Sequence, residues 1–143
     1  MAFHKKVIYQ LYPKSFYDSD GDGVGDLRGI IEKIDYLKAL HIDMIWFNPF
    51  FVSPQYDNGY DVADYRQIDP RFGTMADFEE LAQKLKAAGI DIMLDMVLNH
   101  TSTQHVWFQK ALAGDKHYQD YYYIRPPKPD AVSYTHLRAH ETR

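Results

Sequence analysis

The stretch "IDIMLDMVLNH", residues 90–100, decides the fold class because it is rich in apolar residues with little alternation. Such a run is typical of a strand in a parallel sheet that is covered on both faces, whereas a strand with one wet face alternates polar and apolar residues. Asn99 and His100 close the run. The stretch therefore predicts a buried parallel strand that ends in polar side chains.

Two earlier segments have the same character. "VIYQLYP", residues 7–13, is β-branched and aromatic, and Pro13 ends it. "IDMIWFNP", residues 42–49, reads as a second strand that Pro49 closes. Short apolar runs bounded by proline are typical of buried strands.

Helical patterns separate these strands. The first helix is indicated by an apolar stripe, and His41 stands where a helix-ending glycine is usual; the stripe comprises Ile30, Ile31, Ile34, Leu37 and Leu40. The second begins at a capping box of Thr74 and Asp77, ends at Gly89, and has an apolar stripe of Phe78, Leu81 and Leu85. Strand, helix, strand, helix, strand is the order of a parallel α/β sheet.

The chain has 143 residues, and a barrel of eight strand–helix units needs at least about 200. The pattern therefore fits either a small open sheet or the first third of a barrel. Two of the three connections from a strand to a helix are long and rich in Asp, Asn, Tyr and His, while the connections from a helix to a strand are short. This asymmetry favours a functional face at the carboxyl ends of the strands.

The composition excludes several function classes. A net charge of −4 gives no support to nucleic acid or an anionic membrane as a partner. The chain has no cysteine, which rules out disulfides and thiolate zinc sites, and no apolar run of 18 residues that could span a membrane. With no signal peptide pattern at its start, a cytoplasmic protein is expected.

The segment "DSDGDGVGD", residues 18–26, is a candidate metal site. Its ligands would be the carboxylates of Asp18, Asp20, Asp22 and Asp26 and the carbonyl of Val24, at the spacing of an EF-hand calcium loop. An EF-hand needs a bidentate Glu at its twelfth position, where this chain has Gly29, and a helix in front, where this chain has a strand pattern. A solvated acidic turn is the alternative, but four close carboxylates favour a bound cation, with calcium expected.

The segment "DNGYDVADY", residues 57–65, combines carboxylates and tyrosines after the second strand. Acceptors beside aromatic rings suit a polyol, but an Asn-Gly turn with tyrosines packed beneath it explains the pattern equally well. The third strand ends with Asp95, Asn99 and His100. His100 is placed to contact a ligand, although a satisfied structural histidine is the commoner role at such a position, and Asp95 fits a buried structural carboxylate as well as a general acid or base.

Four segments together resemble glycoside hydrolase family 13, the α-amylase superfamily, over about residues 3–129. They are "VIYQLYPKSFYDSDGDGVGDLRGI", "IDMIWFNPFFVSPQYDNGYDVADY", "FGT" and "DMVLNHTS", in the order and spacing of the family. The loops look like the intracellular oligosaccharide α-glucosidase branch. They are most similar to trehalose-6-phosphate hydrolases, with oligo-1,6-glucosidases as the alternative.

The resemblance implies the N-terminal part of a (β/α)8 TIM barrel, from its first to its third strand, and the start of the small domain inserted after the third strand. Residues 1–100 would form the first strand–helix units and residues 101–132 the start of the inserted domain B. The stretch 133–143 departs from the family and reads as a translated sequencing adapter fused to a truncated frame, a non-native tail.

The resemblance also implies a retaining mechanism with an aspartate nucleophile and a glutamate acid/base. In the family these residues, and a third carboxylate, lie on later strands than this chain contains, so no catalytic residue is expected in it and the chain alone should be inactive. By motif position, Asp57 would accept hydrogen bonds from the non-reducing glucose, Tyr60 would stack on its ring, and His100 would bond its 6-hydroxyl. The expected supports of these residues are Asp61, Asp95 and Asn99.

The implied partner is a small-molecule glucoside, and the full-length enzyme is expected to be a monomer. A structural calcium is implied at the aspartate segment, with no part in catalysis. Non-catalytic relatives, such as the heavy subunits of amino-acid transporters, share the barrel. They carry a membrane anchor and lack sugar-site residues, whereas Asp57, Tyr60 and His100 are all present here.

Overall fold

The computed structural model describes residues 5–124 of the chain. The strands are β1 (Ile8–Leu11), β2 (Met44–Phe47), β3 (Phe51–Val52), β4 (Asp64–Ile68) and β5 (Asp91–Leu94). The helices are α1 (Pro13–Phe16), α2 (Leu27–Glu32), α3 (Ile34–Ala39), α4 (Met75–Ala87), α5 (Val106–Leu112) and α6 (Lys116–Gln119). The predicted tail 133–143 and the end of the predicted inserted domain, 125–132, lie outside the described residues.

The described residues form two compact units. The first, here called the sheet unit, contains residues 5–52 and 65–96. The second, here called the loop unit, contains residues 53–64 and 97–124. The division falls inside the segments on which the sequence predictions focus, so each unit is described by itself.

The sheet unit is built on a three-stranded parallel sheet in the order β1-β2-β5. The register pairs Ile8 with Met44 on one side of β2, and Met44 with Asp91 on the other. The predicted parallel strand–helix–strand order is therefore confirmed. Parallel neighbours need a crossover, and the helices between the strands supply it.

The hydrophobic core of the sheet unit lies between the sheet and its helices. Ile45 and Phe47 of β2 are fully buried, as are Leu37 of α3 and Leu81 and Leu85 of α4. Both predicted helical stripes thus contribute buried residues to the core. Each buried Leu or Ile side chain contributes about 1.5–3 kcal/mol of transfer free energy.

The predicted helix ends of the sheet unit are confirmed. Thr74 and Asp77 form a capping box, in which the Thr74 side chain accepts from the Asp77 amide and the Asp77 carboxylate accepts from the Thr74 amide. This bonding lowers the pKa of Asp77, mainly through the Thr74 side chain. His41 has a φ of 53° and Gly89 a φ of 76°, the left-handed conformation that ends a helix.

The prediction that the third strand is covered on both faces is wrong for the described residues. All four residues of β5 are only partly buried. The reason is that β5 pairs with β2 alone among the described strands and forms an edge of the sheet. Its apolar composition therefore exceeds what its surroundings in this structure require.

The first predicted helix is divided in two. α2 begins at Leu27, earlier than its apolar stripe. The helix is interrupted at Lys33, which lies between α2 and α3 and has a φ of −100°. The Lys33 amide bonds the carbonyl of Ile30 at 3.1 Å, a tighter three-residue turn. Ile30 before the break and Leu37 after it are both buried, whereas Leu40, which was predicted to belong to the same stripe, is 40% exposed.

Two regions predicted to be irregular contain regular structure. The long connection after β2 contains β3 and β4, which pair in a second, two-stranded sheet. The tyrosine-rich segment after His100 contains α5 and α6. These helices are only seven and four residues long, too short to show helical periodicity, and caps by His105 and Asp115 start them.

Candidate functional site

The aspartate segment brings three carboxylates together in the sheet unit. Ligand oxygens of Asp18, Asp20 and Asp22 all lie within 4.8 Å of one another. Backbone amides orient them: Gly21 and Gly23 donate to Asp18 at 2.7 and 2.8 Å, and Val24 donates to Asp22 at 2.7 Å. The amide bonds from Gly23 and Gly21 lower the pKa of Asp18, because they stabilise its ionised form. Three converging carboxylate oxygens fit a hard divalent cation such as calcium.

Asp26, the fourth predicted carboxylate ligand, makes different contacts. It is the N-cap of α2 and accepts from the Gly29 amide at 2.6 Å. It also accepts from the amide and hydroxyl of Ser19, each at 2.9 Å to Oδ2. The group of mutually close carboxylates consists of Asp18, Asp20 and Asp22 without Asp26. The segment therefore fastens the start of α2 through Asp26.

Gly29 has a structural role that explains why no EF-hand glutamate stands there. A Cβ at this position would lie 2.2 Å from the backbone oxygen of Tyr17. Gly25 is equally restricted, since its Cβ would lie 2.3 Å from the oxygen of Pro13. Both glycines let the loop pack on the backbone that follows β1, so any larger residue would push the loop away.

In the loop unit, Asp57 and Tyr60 bracket a tight turn. The Tyr60 amide donates to the Asp57 carbonyl at 3.0 Å. The central residues, Asn58 and Gly59, have φ values of 52° and 98°, as expected for an Asn-Gly turn. Asp57 is exposed and Tyr60 half-buried. The turn interpretation of "DNGY" is therefore confirmed, and it leaves the Asp57 carboxylate accessible to a ligand.

Asp61 organises the chain before this turn. Its carboxylate accepts from the Ser53 hydroxyl at 2.7 Å, the Tyr56 amide at 2.9 Å and the Asp57 amide at 3.2 Å. These contacts are those of a supporting residue, as the resemblance implies. The carboxylate of Asp61 accepts three hydrogen bonds from the protein, whereas Asp57 is exposed at the turn.

His100 is held from both ring nitrogens within the loop unit. Nε2 lies 2.9 Å from the Tyr60 carbonyl, and Nδ1 lies 2.9 Å from the Asn99 side-chain nitrogen. Because a carbonyl only accepts, Nε2 carries the hydrogen, and Nδ1 of the neutral ring accepts from Asn99. His100 and Tyr60 are thereby brought together, and Asn99 supports the ring. A sugar hydroxyl would have to replace one of these two partners.

Asp95 belongs to the sheet unit and follows β5 directly. Its amide donates to the Phe47 carbonyl at 3.0 Å, which extends the pairing of β5 with β2 by one residue. The side chain is half-buried. Five of the predicted sugar-site residues thus lie in the loop unit, and Asp95 lies at the carboxyl end of the parallel sheet.

The sequence analysis missed three buried polar residues of the loop unit. Ser53, Ser102 and His105 are 3%, 2% and 5% exposed. The Ser102 amide bonds the Val62 carbonyl at 2.8 Å and so joins the two segments of the unit. Serine and histidine are common on surfaces, and only position relative to a turn or helix start could have singled these out: each serine hydroxyl accepts from the amide two residues on.

His105 begins α5. Its Nδ1 accepts from the Trp107 amide at 3.1 Å, and its ring lies edge-on to the Trp107 ring with centroids 4.8 Å apart. Burial lowers the pKa of His105, and the negative charge of Asp64 partly opposes this. The ring is therefore neutral near pH 7, with its hydrogen on Nε2.

None of the helices in the described part of the chain has the length and apolar composition that a membrane crossing requires. A parallel sheet whose strands are connected by helices places the chain among the α/β proteins, a class that includes both open sheets and barrels. The chain belongs to the α-amylase family: the model of the α-amylase catalytic domain matches residues 10–139. The three parallel strands are the N-terminal strands of the TIM barrel of that family.

Individual relatives support this assignment. The chain is 57% identical to a trehalose-6-phosphate hydrolase of Escherichia coli over 87% of its own length, and 54% identical to an oligo-1,6-glucosidase of Heyndrickxia coagulans over 90%. Among solved structures, the trehalose-6-phosphate hydrolase of Bacillus licheniformis is similar with a TM-score of 0.85 and 52% identity, over 90% of this chain. The chain spans 22–23% of the length of these relatives.

Proposed function

We propose that these residues belong to a retaining α-glucoside hydrolase whose preferred substrate is trehalose 6-phosphate, cleaved to glucose and glucose 6-phosphate. The observation that carries the proposal is the joining of the Asn-Gly turn to His100 through the bond from His100 Nε2 to the Tyr60 carbonyl. It gathers an exposed carboxylate, an aromatic ring and an imidazole in one unit. A non-reducing glucose offers hydroxyl donors to the carboxylate of Asp57, an apolar ring face to the ring of Tyr60 and a 6-hydroxyl to the imidazole of His100.

The roles in this proposal follow from the contacts. Asp57 accepts hydrogen bonds from sugar hydroxyls because its carboxylate is exposed at the turn. Tyr60 contributes its ring face. His100 takes the 6-hydroxyl in exchange for the Asn99 amide at Nδ1 or the Tyr60 carbonyl at Nε2. The bond-breaking carboxylates of a retaining glycosidase are assigned to parts of the full-length protein beyond this sheet, and Asp95 is not given that role.

An oligo-1,6-glucosidase is the second candidate. The observation that favours it is the 54% identity to the enzyme of H. coagulans, only slightly below the 57% to the trehalose-6-phosphate hydrolase of E. coli. The two activities differ in whether the leaving sugar carries a phosphate. A non-catalytic relative is disfavoured because Asp57, Tyr60 and His100 are all present.

A structural calcium at the aspartate segment is part of the proposal. Asp18, Asp20 and Asp22 would supply carboxylate oxygens, and their orientation by backbone amides favours a preformed site. The Val24 carbonyl completes the proposed set. Asp26 is proposed as the fourth carboxylate ligand, but it must first release the hydrogen bonds that it accepts from Ser19 and Gly29. We therefore expect it to contribute least to the affinity for calcium. A cytoplasmic location and a monomeric state of the full-length enzyme complete the proposal.

The test is to assay the full-length protein that carries this chain on trehalose 6-phosphate, isomaltose and trehalose under identical conditions. A higher kcat/KM on trehalose 6-phosphate, with release of glucose and glucose 6-phosphate, supports the proposal. Preference for isomaltose selects the oligo-1,6-glucosidase alternative. A folded protein that cleaves none of the three contradicts both.

A further inference from the structure

Ser53 stands at the base of the segment that leads to Asp57, and its hydroxyl makes two hydrogen bonds there. It donates to Asp61 Oδ1 at 2.7 Å and accepts from the Gln55 amide at 2.9 Å. The residue is only 3% exposed. A buried hydroxyl bonded to an ionised carboxylate is among the stronger hydrogen bonds of a protein.

The segment that Ser53 holds is unfavourable by itself. Gln55 has a φ of 64°, a left-handed conformation that residues with a long side chain adopt at a cost. The side-chain nitrogen of Gln55 is buried without a hydrogen-bond partner among the described residues. Both features of Gln55 are unfavourable, so surrounding contacts must impose the conformation.

Asp61 is the residue that imposes it. Its two oxygens accept the amides of Tyr56 and Asp57, which turns the backbone toward the Asn-Gly turn. Asp61 could rotate away if nothing fixed its own carboxylate. The Ser53 hydroxyl bonds the same oxygen, Oδ1, that accepts the Asp57 amide, and thereby fixes the carboxylate plane.

We propose that Ser53 is a positioning residue for the sugar site: through Asp61 it sets the backbone at Asp57 and holds the Asp57 carboxylate where a glucose hydroxyl donates to it. This inference rests on the proposed function for its consequence in catalysis. Its structural part, the control of the Tyr56 and Asp57 amides by the Ser53 hydroxyl, stands independently of any activity.

The structural part is tested on the full-length protein that carries this chain, by ¹H–¹⁵N NMR with ¹⁵N-labelled tyrosine and aspartate. Ser53→Ala should shift or broaden the Tyr56, Asp57 and Tyr60 amide signals. Ser102→Ala is the matched control, because it removes another buried hydroxyl of the loop unit that also accepts from the amide two residues on. It should leave those three signals in place. Unchanged signals in Ser53→Ala, or equal changes in both variants, would overturn the inference.

The catalytic consequence is tested on the full-length protein with a double-mutant cycle of Ser53→Ala and Asp61→Asn. Ser53→Ala should lower kcat/KM about tenfold or more, and the double variant should be no worse than Asp61→Asn alone, since Ser53 acts through Asp61. The exposed Ser15→Ala is the activity control. Full additivity of the two losses, or wild-type kcat/KM in Ser53→Ala, would contradict the role.

A conservative variant and the activity of the wild-type protein distinguish a loss of folding, a failure of the proposed function and a failure of the proposed role of Ser53. Ser53→Thr keeps the hydroxyl and should recover much of the kcat/KM lost in Ser53→Ala, provided that its thermal midpoint matches that of the wild type. If Ser53→Thr does not fold, the double-mutant cycle decides. If the wild-type protein cleaves no α-glucoside, the proposed function fails while the NMR comparison still decides the positioning by Ser53.

Discussion

The amide of Gly29 donates to Oδ1 of Asp26 at 2.6 Å, and this bond joins the aspartate segment to the first turn of α2. The approach is possible because Gly29 has no side chain: a Cβ there would lie 2.2 Å from the Tyr17 oxygen. The loop after β1 is therefore held at the start of α2 by this hydrogen bond and by the close packing of Gly29 on Tyr17.

Replacement of Gly29 by alanine should be strongly destabilising. The added Cβ meets backbone atoms that cannot rotate away, so we expect a loss of about 3 kcal/mol in the free energy of unfolding, measured by urea denaturation. Gly114→Ala is the control, since its φ of 95° carries backbone strain but no atom lies within 4 Å of the added Cβ. It should cost about 1 kcal/mol. Equal effects in the two variants would mean that the packing on Tyr17 is not tight.

Calcium binding should depend on the three gathered carboxylates more than on Asp26. Asp20→Ala should abolish calcium binding measured by calorimetry, because it removes one of three converging carboxylates. Asp35→Ala, an exposed acid on α3, should leave it unchanged. Asp26→Asn should destabilise the fold while retaining most of the affinity, because Asp26 is engaged with Ser19 and Gly29. Loss of binding in Asp26→Asn with unchanged stability would place Asp26 among the ligands instead.

Acid should weaken the start of α5. Because burial holds the pKa of His105 below its ordinary value of 6.5, the unfolded chain binds the proton first as the pH falls. The stabilisation by the neutral ring is therefore complete above about pH 6.5 and is lost as the pH falls through the folded-state pKa. Protonation also places a hydrogen on Nδ1, where the Trp107 amide donates.

The measurement is amide exchange protection of the first turn of α5 between pH 7.5 and 4.5. It should fall about fivefold or more in the wild type, as the loss of a cap worth about 1 kcal/mol implies. His105→Asn supplies a cap that does not titrate and should remove the pH dependence, whereas His41→Asn, at an exposed histidine, should not. The same pH dependence in His105→Asn would show that another group is responsible.

The sequence predicts the fold of the sheet unit well because its signals are local. The strand runs, the Thr74–Asp77 capping box and the helix ends at His41 and Gly89 each involve a few neighbouring residues. The Asn-Gly turn at Asp57 was foreseeable for the same reason. The partial exposure of β5 was not, because burial depends on which strands lie beside it.

The site was predicted only in part, because its contacts join distant residues. The sequence and the family resemblance predict Asp57 and His100 as sugar-site residues, but they do not predict that His100 donates to the Tyr60 carbonyl 40 positions earlier. Ser53 gives only a weak local signal, since the contact on which its proposed role rests joins its hydroxyl to Asp61, eight positions later. The sequence did not predict α5 and α6 because helices of seven and four residues show no apolar stripe. In addition, His105, which caps α5, is not among the preferred N-cap residues.

The kcat/KM of Asp57→Ala in the full-length protein, on trehalose 6-phosphate, tests most directly the claim that the loop unit holds the non-reducing glucose. Asp120→Ala, an exposed acid at the end of α6, is the control. Loss of charge-assisted hydrogen bonds to the sugar predicts a fall of about 100-fold with an unchanged thermal midpoint, against little change in the control. Wild-type kcat/KM in Asp57→Ala would contradict the account.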